Sequence, residues 1–88
     1  MAMEERWPIE VSMREVDRET RAQARLIRDS SSVTGHGLAR RNPEDREVTE
    51  IGEEIAAARA LADLANKILD TAAGDIEAVT QQRAHLHL

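Results

Sequence analysis

The sequence predicts an α+β fold, in which a three-stranded antiparallel sheet is followed by a long helix and a short carboxy-terminal helix. Three stretches between Trp7 and Arg40 alternate between apolar and polar residues, with the period of two that is typical of strands. A stretch beginning near Thr49 repeats its apolar residues at spacings of three and four, which is typical of an amphipathic helix. The 88 residues are enough for one domain and predict an ordered core from about residue 6 to about residue 82.

The first strand is predicted from Trp7 to Met13. Pro8 has no amide hydrogen to donate, so this strand should begin at a sheet edge or with its nitrogen facing solvent. The charged run Glu15–Glu19 interrupts the alternation and predicts a loop. One face of the strand carries Trp7, Ile9, Val11 and Met13, and the other carries Pro8, Glu10 and Ser12.

The second strand is predicted from Thr20 to Arg28 and the third from Val33 to Arg40, with a hairpin turn at Asp29–Ser32 between them. Gly35 and Gly37 leave one face of the third strand almost without side chains. Because glycine weakens a strand unless another backbone approaches closely, we expect a helix to lie directly across it.

The main helix is predicted from Thr49 to about Asp70, after a loop or a single helical turn at Asn42–Asp45. The alanines at the centre of its sheet-facing stripe, Ala58 and Ala62, are expected to lie against the two glycines. The predicted stripe consists of Ile51, Ile55, Ala58, Ala62, Ala65 and Leu69.

A second line of apolar residues makes the apolar surface of this helix wider than a single buried face requires. We expect both a short helix from Asp75 to about Gln82, after a break at Gly74, and a second copy of the protein to contribute to covering this line. The line consists of Ala57, Leu61, Leu64 and Ile68.

Composition and charge exclude several functions. Twelve basic and seventeen acidic residues give a net charge of −5, which opposes non-specific attraction to nucleic acid or to anionic membranes. The chain has no cysteine, which rules out disulfides, a thiolate nucleophile and sulfur-liganded zinc. No apolar run approaches the roughly 20 residues that a membrane-spanning helix needs, and we expect a cytoplasmic location.

A family resemblance extends over nearly the whole chain and is carried by four segments. The chain resembles a small actinobacterial family of unknown function, which is similar in fold to the double-stranded-RNA-binding domain. The resemblance implies a β-meander followed by a helix and an intracellular location, and it brings no catalytic or ligand residues. The segments are TRAQARL at 20–26, GHGLARRNPED at 35–45, IGEEI at 51–55 and ARALADL at 58–64.

A basic patch is predicted on the exposed face of the sheet. Alternation places Arg21 and Arg25 of the second strand beside His36 and Arg40 of the third, and these four are the candidate RNA-binding residues. Glu10 should share this face and reduce its positive charge. Because the chain has a single aromatic residue besides histidine, it lacks the paired stacking platforms that hold single-stranded bases.

No metal, cofactor or catalytic site is expected. His85 and His87 could approach one metal ion, but zinc takes three or four protein ligands and His36 is the only other histidine. The serines at 30–32 near His36 are the only candidates for a nucleophile with its base, and the turn explains them better.

We therefore expect a protein-interaction or self-associating module without catalytic activity, acting as a homodimer or with a protein partner. The candidate contact residues are Leu61, Leu64 and Ile68, on the apolar flank of the helix. The alternative is an RNA-associated domain that uses the arginine-bearing face of the sheet.

Overall fold

In the described residues of the computed structural model, three antiparallel strands form one sheet in the order β1-β2-β3, and one long helix packs on one face of this sheet. The predicted α+β fold is confirmed. The elements are β1 at Ile9–Val16, β2 at Glu19–Ile27, β3 at Ser32–Arg40 and α1 at Thr49–Thr80.

The structure describes residues 3–29, 31–41, 49–81 and 83–87. The loop predicted at Asn42–Asp45 lies outside the described residues, as do Ser30 of the predicted turn and Gln82 at the end of the predicted last helix. No helix in the described part of the chain has the length and hydropathy that crossing a membrane requires.

The connection between β1 and β2 is shorter than predicted. Val16 pairs directly with Glu19, so the turn contains only Asp17 and Arg18 instead of the predicted loop at Glu15–Glu19. Asp17 has a φ of 55°, a left-handed conformation that aspartate tolerates better than most residues and that suits a two-residue hairpin. The charged residues beside the turn continue the strands: Glu15 is exposed, and Glu19 forms ion pairs with Arg21 and Arg40.

The strand register places the apolar rows of all three strands on one face of the sheet. Val11 of β1 pairs with Ala24 of β2, and Ala24 pairs with Gly35 of β3. Directly opposed residues in an antiparallel sheet point to the same side. The odd-numbered residues of β1 therefore share the helix side of the sheet with the even-numbered residues of β2.

The helix approaches the sheet at the two glycines, as predicted, although with different helix residues. A Cβ atom at Gly35 would meet the backbone of Ala60 and Leu64, and one at Gly37 would meet the backbone of Ala56 and Ala60. The buried apolar core consists of Ala22, Ala24, Leu26, Ala39, Ala56, Ala60 and Leu64.

The predicted sheet-facing stripe is therefore wrong. Ala58 and Ala62 are exposed, and Ile51 and Ile55 also point into solvent. Both rows of the helix contain alanines, so small size alone did not distinguish them. In the observed orientation, polar residues beside the buried row reach the outer edge of β3.

The predicted break at Gly74 and the separate carboxy-terminal helix are also wrong. Gly74 lies inside α1, which runs for 32 residues without interruption. A glycine in a helix interior costs only about 1 kcal/mol relative to alanine, which the surrounding helical residues can offset. The helix ends at Thr80, after which Gln81 takes a φ of 59° and its backbone N–H donates to the Glu77 carbonyl at 2.7 Å.

Candidate interaction surface

The helix leaves one strand of the sheet uncovered. α1 packs against β3 and β2 and scarcely touches β1. Ile9, Val11 and Met13 point to the helix side of the sheet, yet they remain 47%, 39% and 43% exposed. These side chains form an apolar row beside the helix, and no other described element forms a second layer over it.

One flank of the helix borders this row. Arg59 and Asp63 lie on the flank that faces β3, as their hydrogen bonds to that strand demonstrate. Leu61 is rotated by about 100° about the helix axis from the buried Ala60, away from the flank that carries Arg59 and Asp63. Its side chain is therefore directed toward β1. Leu61 is 41% exposed. We call Ile9, Val11, Met13 and Leu61 together the apolar trough.

The structure separates the three predicted contact residues. Leu64 is only 2% exposed and belongs to the core between helix and sheet, so it is not available to a partner. Ile68 is half-buried and packs against that core. Leu61 alone is substantially exposed. Alternation placed Ile9, Val11 and Met13 on one face of the first strand, but it indicates which residues share a face and not whether another layer covers them.

The outer edge of β3 is closed by helix side chains. Arg59 Nη1 donates to the Leu38 carbonyl at 2.6 Å, and Lys67 Nζ donates to the Thr34 carbonyl at 2.8 Å. Between them, the backbone N–H of His36 donates to Asp63 Oδ2 at 2.8 Å. The pKa of Asp63 lies below its ordinary value because its carboxylate accepts this backbone hydrogen bond from His36 and a side-chain hydrogen bond from Lys67. We call Arg59, Asp63 and Lys67 the β3 clamp.

The outer edge of β1 has no such closure. The Pro8 carbonyl accepts a hydrogen bond from the Ile27 N–H, so the even-numbered residues of this strand point their backbone groups toward β2. The N–H and C=O groups of Ile9, Val11 and Met13 therefore point outward. Within the described part of the chain, no side chain forms a hydrogen bond with these backbone groups. β1 is an open edge strand of eight residues.

The predicted basic patch lies on the opposite face of the sheet. Arg21, Arg25, His36 and Arg40 share this face, as the register requires. Glu19 binds two of them: its carboxylate accepts hydrogen bonds from Arg40 at 2.6 Å and from Arg21 at 3.0 Å. The hydrogen bond from Arg40 and, to a smaller extent, the one from Arg21 lower the pKa of Glu19. Much of the positive charge is thereby neutralised.

Among the described residues, the remaining histidines form no metal-ligating cluster and Ser32 lies far from His36. The rings of His85 and His87 are stacked with their centroids 6.3 Å apart, and no cluster of three or more metal-ligating residues occurs among the residues described. Ser32 and His36 are four residues apart on one strand, or roughly 13 Å, which is too far for a nucleophile and its base. Trp7 packs under the Arg28 guanidinium at 4.4 Å.

Comparisons with known proteins identify relatives that span nearly the whole chain. The Rv2632c-like family model matches residues 5–85. Uncharacterized protein Mb1767 of Mycobacterium bovis is 49% identical over 80 residues, which cover 91% of this chain and 85% of the relative. Uncharacterized protein Rv2632c of Mycobacterium tuberculosis is 49% identical over 74 residues, covering 84% of this chain and 80% of the relative.

A solved structure shares the fold. The crystal structure of Rv2632c superposes on this chain with a TM-score of 0.85 at 44% sequence identity, covering 92% of this chain and 96% of the other. The names of these relatives assign no activity or ligand. The similarity to the double-stranded-RNA-binding fold stays a prediction.

Proposed function

The chain belongs to the Rv2632c-like family, and we propose that it is a cytoplasmic protein-interaction module without catalytic activity. Its contact surface is the apolar trough together with the open edge of β1. The observation that carries this proposal is the combination, on one strand, of exposed apolar side chains and outward-pointing backbone groups.

A partner at this surface would supply both of the things that β1 lacks. A protein strand offers backbone groups for the open edge, and its side chains can cover Ile9, Val11 and Met13. Each of these three side chains keeps roughly two fifths of its surface in water, so its burial is worth about 1 kcal/mol. The residues are adjacent along one row, and a single contact can therefore bury all of them.

A direct test compares the chain and two variants in extract of its native cells. Val11→Asp places a charge in the middle of the apolar trough, whereas Val79→Asp places one on the exposed end of α1. We expect size-exclusion chromatography to find the tagged chain in a nuclease-resistant complex that Val11→Asp abolishes and Val79→Asp preserves. Circular dichroism of the purified variants checks that both fold.

Two outcomes would contradict the proposal. The first is a wild-type chain that elutes at the size of a monomer both in extract and when purified. The second is a complex that Val11→Asp and Val79→Asp affect equally, since the trough would then have no special role. Met13→Asp provides a second substitution in the trough if Val11→Asp fails to fold.

The alternative function is an RNA-associated domain that uses the basic sheet face. Its support is that Arg21, Arg25, His36 and Arg40 share one surface. The ion pairs of Glu19 with Arg21 and Arg40, and the net charge of −5, weigh against it. Labelled duplex RNA at low salt is the appropriate probe, because phosphate contacts are strongest there. A shift that Arg25→Glu abolishes would favour the alternative, and the absence of any shift would remove it.

A further inference from the structure

We propose that the partner is a second copy of this chain, joined through antiparallel pairing of the two β1 edges with Ser12 on the two-fold axis. This inference rests on the proposed function, since it names the partner of the same surface. Pairing would join two three-stranded sheets into one continuous sheet with both helices on the same face.

The two edges of the sheet differ in whether their backbone groups are available to pair with another strand. The β3 clamp occupies the Thr34, His36 and Leu38 backbone groups on one edge. The β1 edge is uncovered and has no lysine or internal proline, two of the features that natural edge strands use against pairing. If another strand pairs with this sheet, it is therefore expected to pair with the β1 edge and not with the β3 edge.

Hydrogen-bond geometry restricts the register of such a pair. The outward backbone groups belong to the odd-numbered residues of β1, so odd-numbered residues of the two copies must face each other. An axis through any residue of β1 satisfies this condition, but within the apolar row from Ile9 to Met13 only the axes through Val11, Ser12 and Met13 pair five or more residues of the strand. Shifting the axis by half a residue would turn the backbone groups of one strand away from those of the other.

Charge complementarity selects among these three registers. With the axis at Ser12, Glu10 faces the partner's Arg14, and the symmetry repeats this pair on the other side of the axis. With the axis at Val11, Glu10 faces the partner's Ser12. With the axis at Met13, Glu10 faces the partner's Val16. Of these three registers, only the one centred on Ser12 sets Glu10 opposite Arg14; the third charged residue of the strand, Glu15, then faces the partner's Ile9.

The surroundings of Arg14 favour the same register, whereas Glu10 already lies opposite Arg25 within the chain. Arg14 lies directly opposite Arg21 within the chain, a like-charge neighbour that a facing carboxylate would offset. Neither Glu10 nor Arg14 forms an ion pair elsewhere in the described residues. On the helix side of the sheet, this register sets Val11 opposite the partner's Met13, which joins the two apolar rows.

A single cysteine tests the position of the axis. The chain has no native cysteine, so Ser12→Cys introduces one thiol per copy. Facing residues of a non-hydrogen-bonded antiparallel pair have Cα atoms about 4.5 Å apart, within the range that a disulfide spans. We expect mild oxidation to produce a covalent dimer of the purified Ser12→Cys variant.

Gln23→Cys is the matched control for this cross-link. Gln23 is exposed on the same sheet face and pairs with Ser12 within the chain. In the proposed dimer the two copies of Gln23 are three strand spacings apart, roughly 14 Å, which a disulfide cannot bridge. A Gln23→Cys variant that cross-links as readily as Ser12→Cys would overturn the proposed axis.

Charge reversal tests the register independently. Glu10→Arg or Arg14→Glu alone places like charges opposite each other twice per dimer, so sedimentation should find dimerisation weakened about tenfold. The double variant Glu10→Arg with Arg14→Glu restores opposite charges and should recover the affinity. A double variant as weak as the single variants would overturn the register.

The outcomes separate this inference from the proposed function. A purified chain that stays monomeric, with a trough-dependent complex in cell extract, would overturn the second copy and leave the interaction module with a different partner. A monomer in both settings would overturn both proposals. Dimerisation of the purified chain that Val11→Asp abolishes, together with cross-linking at Ser12→Cys alone, would support both.

Discussion

At the residue scale, Gly35 and Gly37 determine how closely the helix can approach the sheet. Neither glycine has a positive φ, so the requirement is for space and not for backbone freedom. An added Cβ at either position would meet helix backbone atoms, which cannot move aside as a flexible side chain can. Their role is therefore to admit the alanine-lined face of α1.

Alanine substitution should distinguish these glycines from Gly74. We expect Gly35→Ala or Gly37→Ala to lower the free energy of unfolding by about 3 kcal/mol or more, because the helix must move away from the sheet. Nothing lies within 4 Å of a Cβ at Gly74, so Gly74→Ala should raise the free energy of unfolding by about 0.5–1 kcal/mol. Urea denaturation measures both effects, and a neutral Gly35→Ala would contradict the packing described.

Leu64 and Leu61 make a second contrast between residues on one helix. Leu64→Ala should cost about 2–5 kcal/mol of stability, since it removes one of the two largest fully buried side chains of the core. Leu61→Ala should cost under about 1 kcal/mol in the monomer because Leu61 is exposed. The comparison is made by urea denaturation of the dimerisation-deficient Val11→Asp background. Equal losses would mean that the helix is rotated from its described position.

At the scale of the elements, the β3 clamp fixes the helix against one edge of the sheet. Its three side chains occupy successive turns of α1, at spacings of four residues, and reach backbone groups spaced two residues apart along β3. The same contacts prevent another strand from adding to β3. The clamp thus both orients the helix and leaves β1 as the open edge.

Asp63 should make the clamp sensitive to acid. Its pKa is lower in the folded chain than its ordinary value of 3.8, because the charged carboxylate accepts hydrogen bonds from His36 and Lys67. The stabilisation is therefore present above about pH 3.8 and is lost as the pH falls through the lower folded pKa.

The Asp63→Asn variant tests this dependence. We expect the stability difference between wild type and Asp63→Asn to be largest near neutral pH and to shrink below pH 3.8. Asp70→Asn, at an exposed position on the same helix, is the matched control and should change stability little at any pH. Urea midpoints across the acid range provide the measurement, and a difference that grows on acidification would contradict the assignment.

At the scale of the whole molecule, the layers are unequal in extent. One helix cannot cover three strands, since it lies over β2 and β3 and leaves β1 bare on the helix side. Many large apolar residues of the chain are exposed, both on β1 and at the two ends of α1. The exposed row on β1 is distinguished from the others because it adjoins an unpaired strand edge.

Self-association through β1 should make thermal stability depend on concentration. A partner that binds only the folded chain raises the apparent Tm as its concentration exceeds the dissociation constant. We expect the Tm of the wild type to rise with protein concentration, whereas the Tm of Val11→Asp should stay constant. Scanning calorimetry at several concentrations measures this, and a wild-type Tm that does not vary would argue against the dimer.

Residue order alone determined that there are three strands, which face of the sheet each strand residue occupies and that the helix approaches closely at Gly35 and Gly37, because alternation and side-chain size act locally. Only the tertiary structure decided that Ala56, Ala60 and Leu64 face the sheet, since two rows of the helix are small and apolar and the choice depends on partners at the β3 edge. It also decided that the helix leaves β1 uncovered, because coverage is a property of how layers overlap and leaves no trace in the pattern of a single strand.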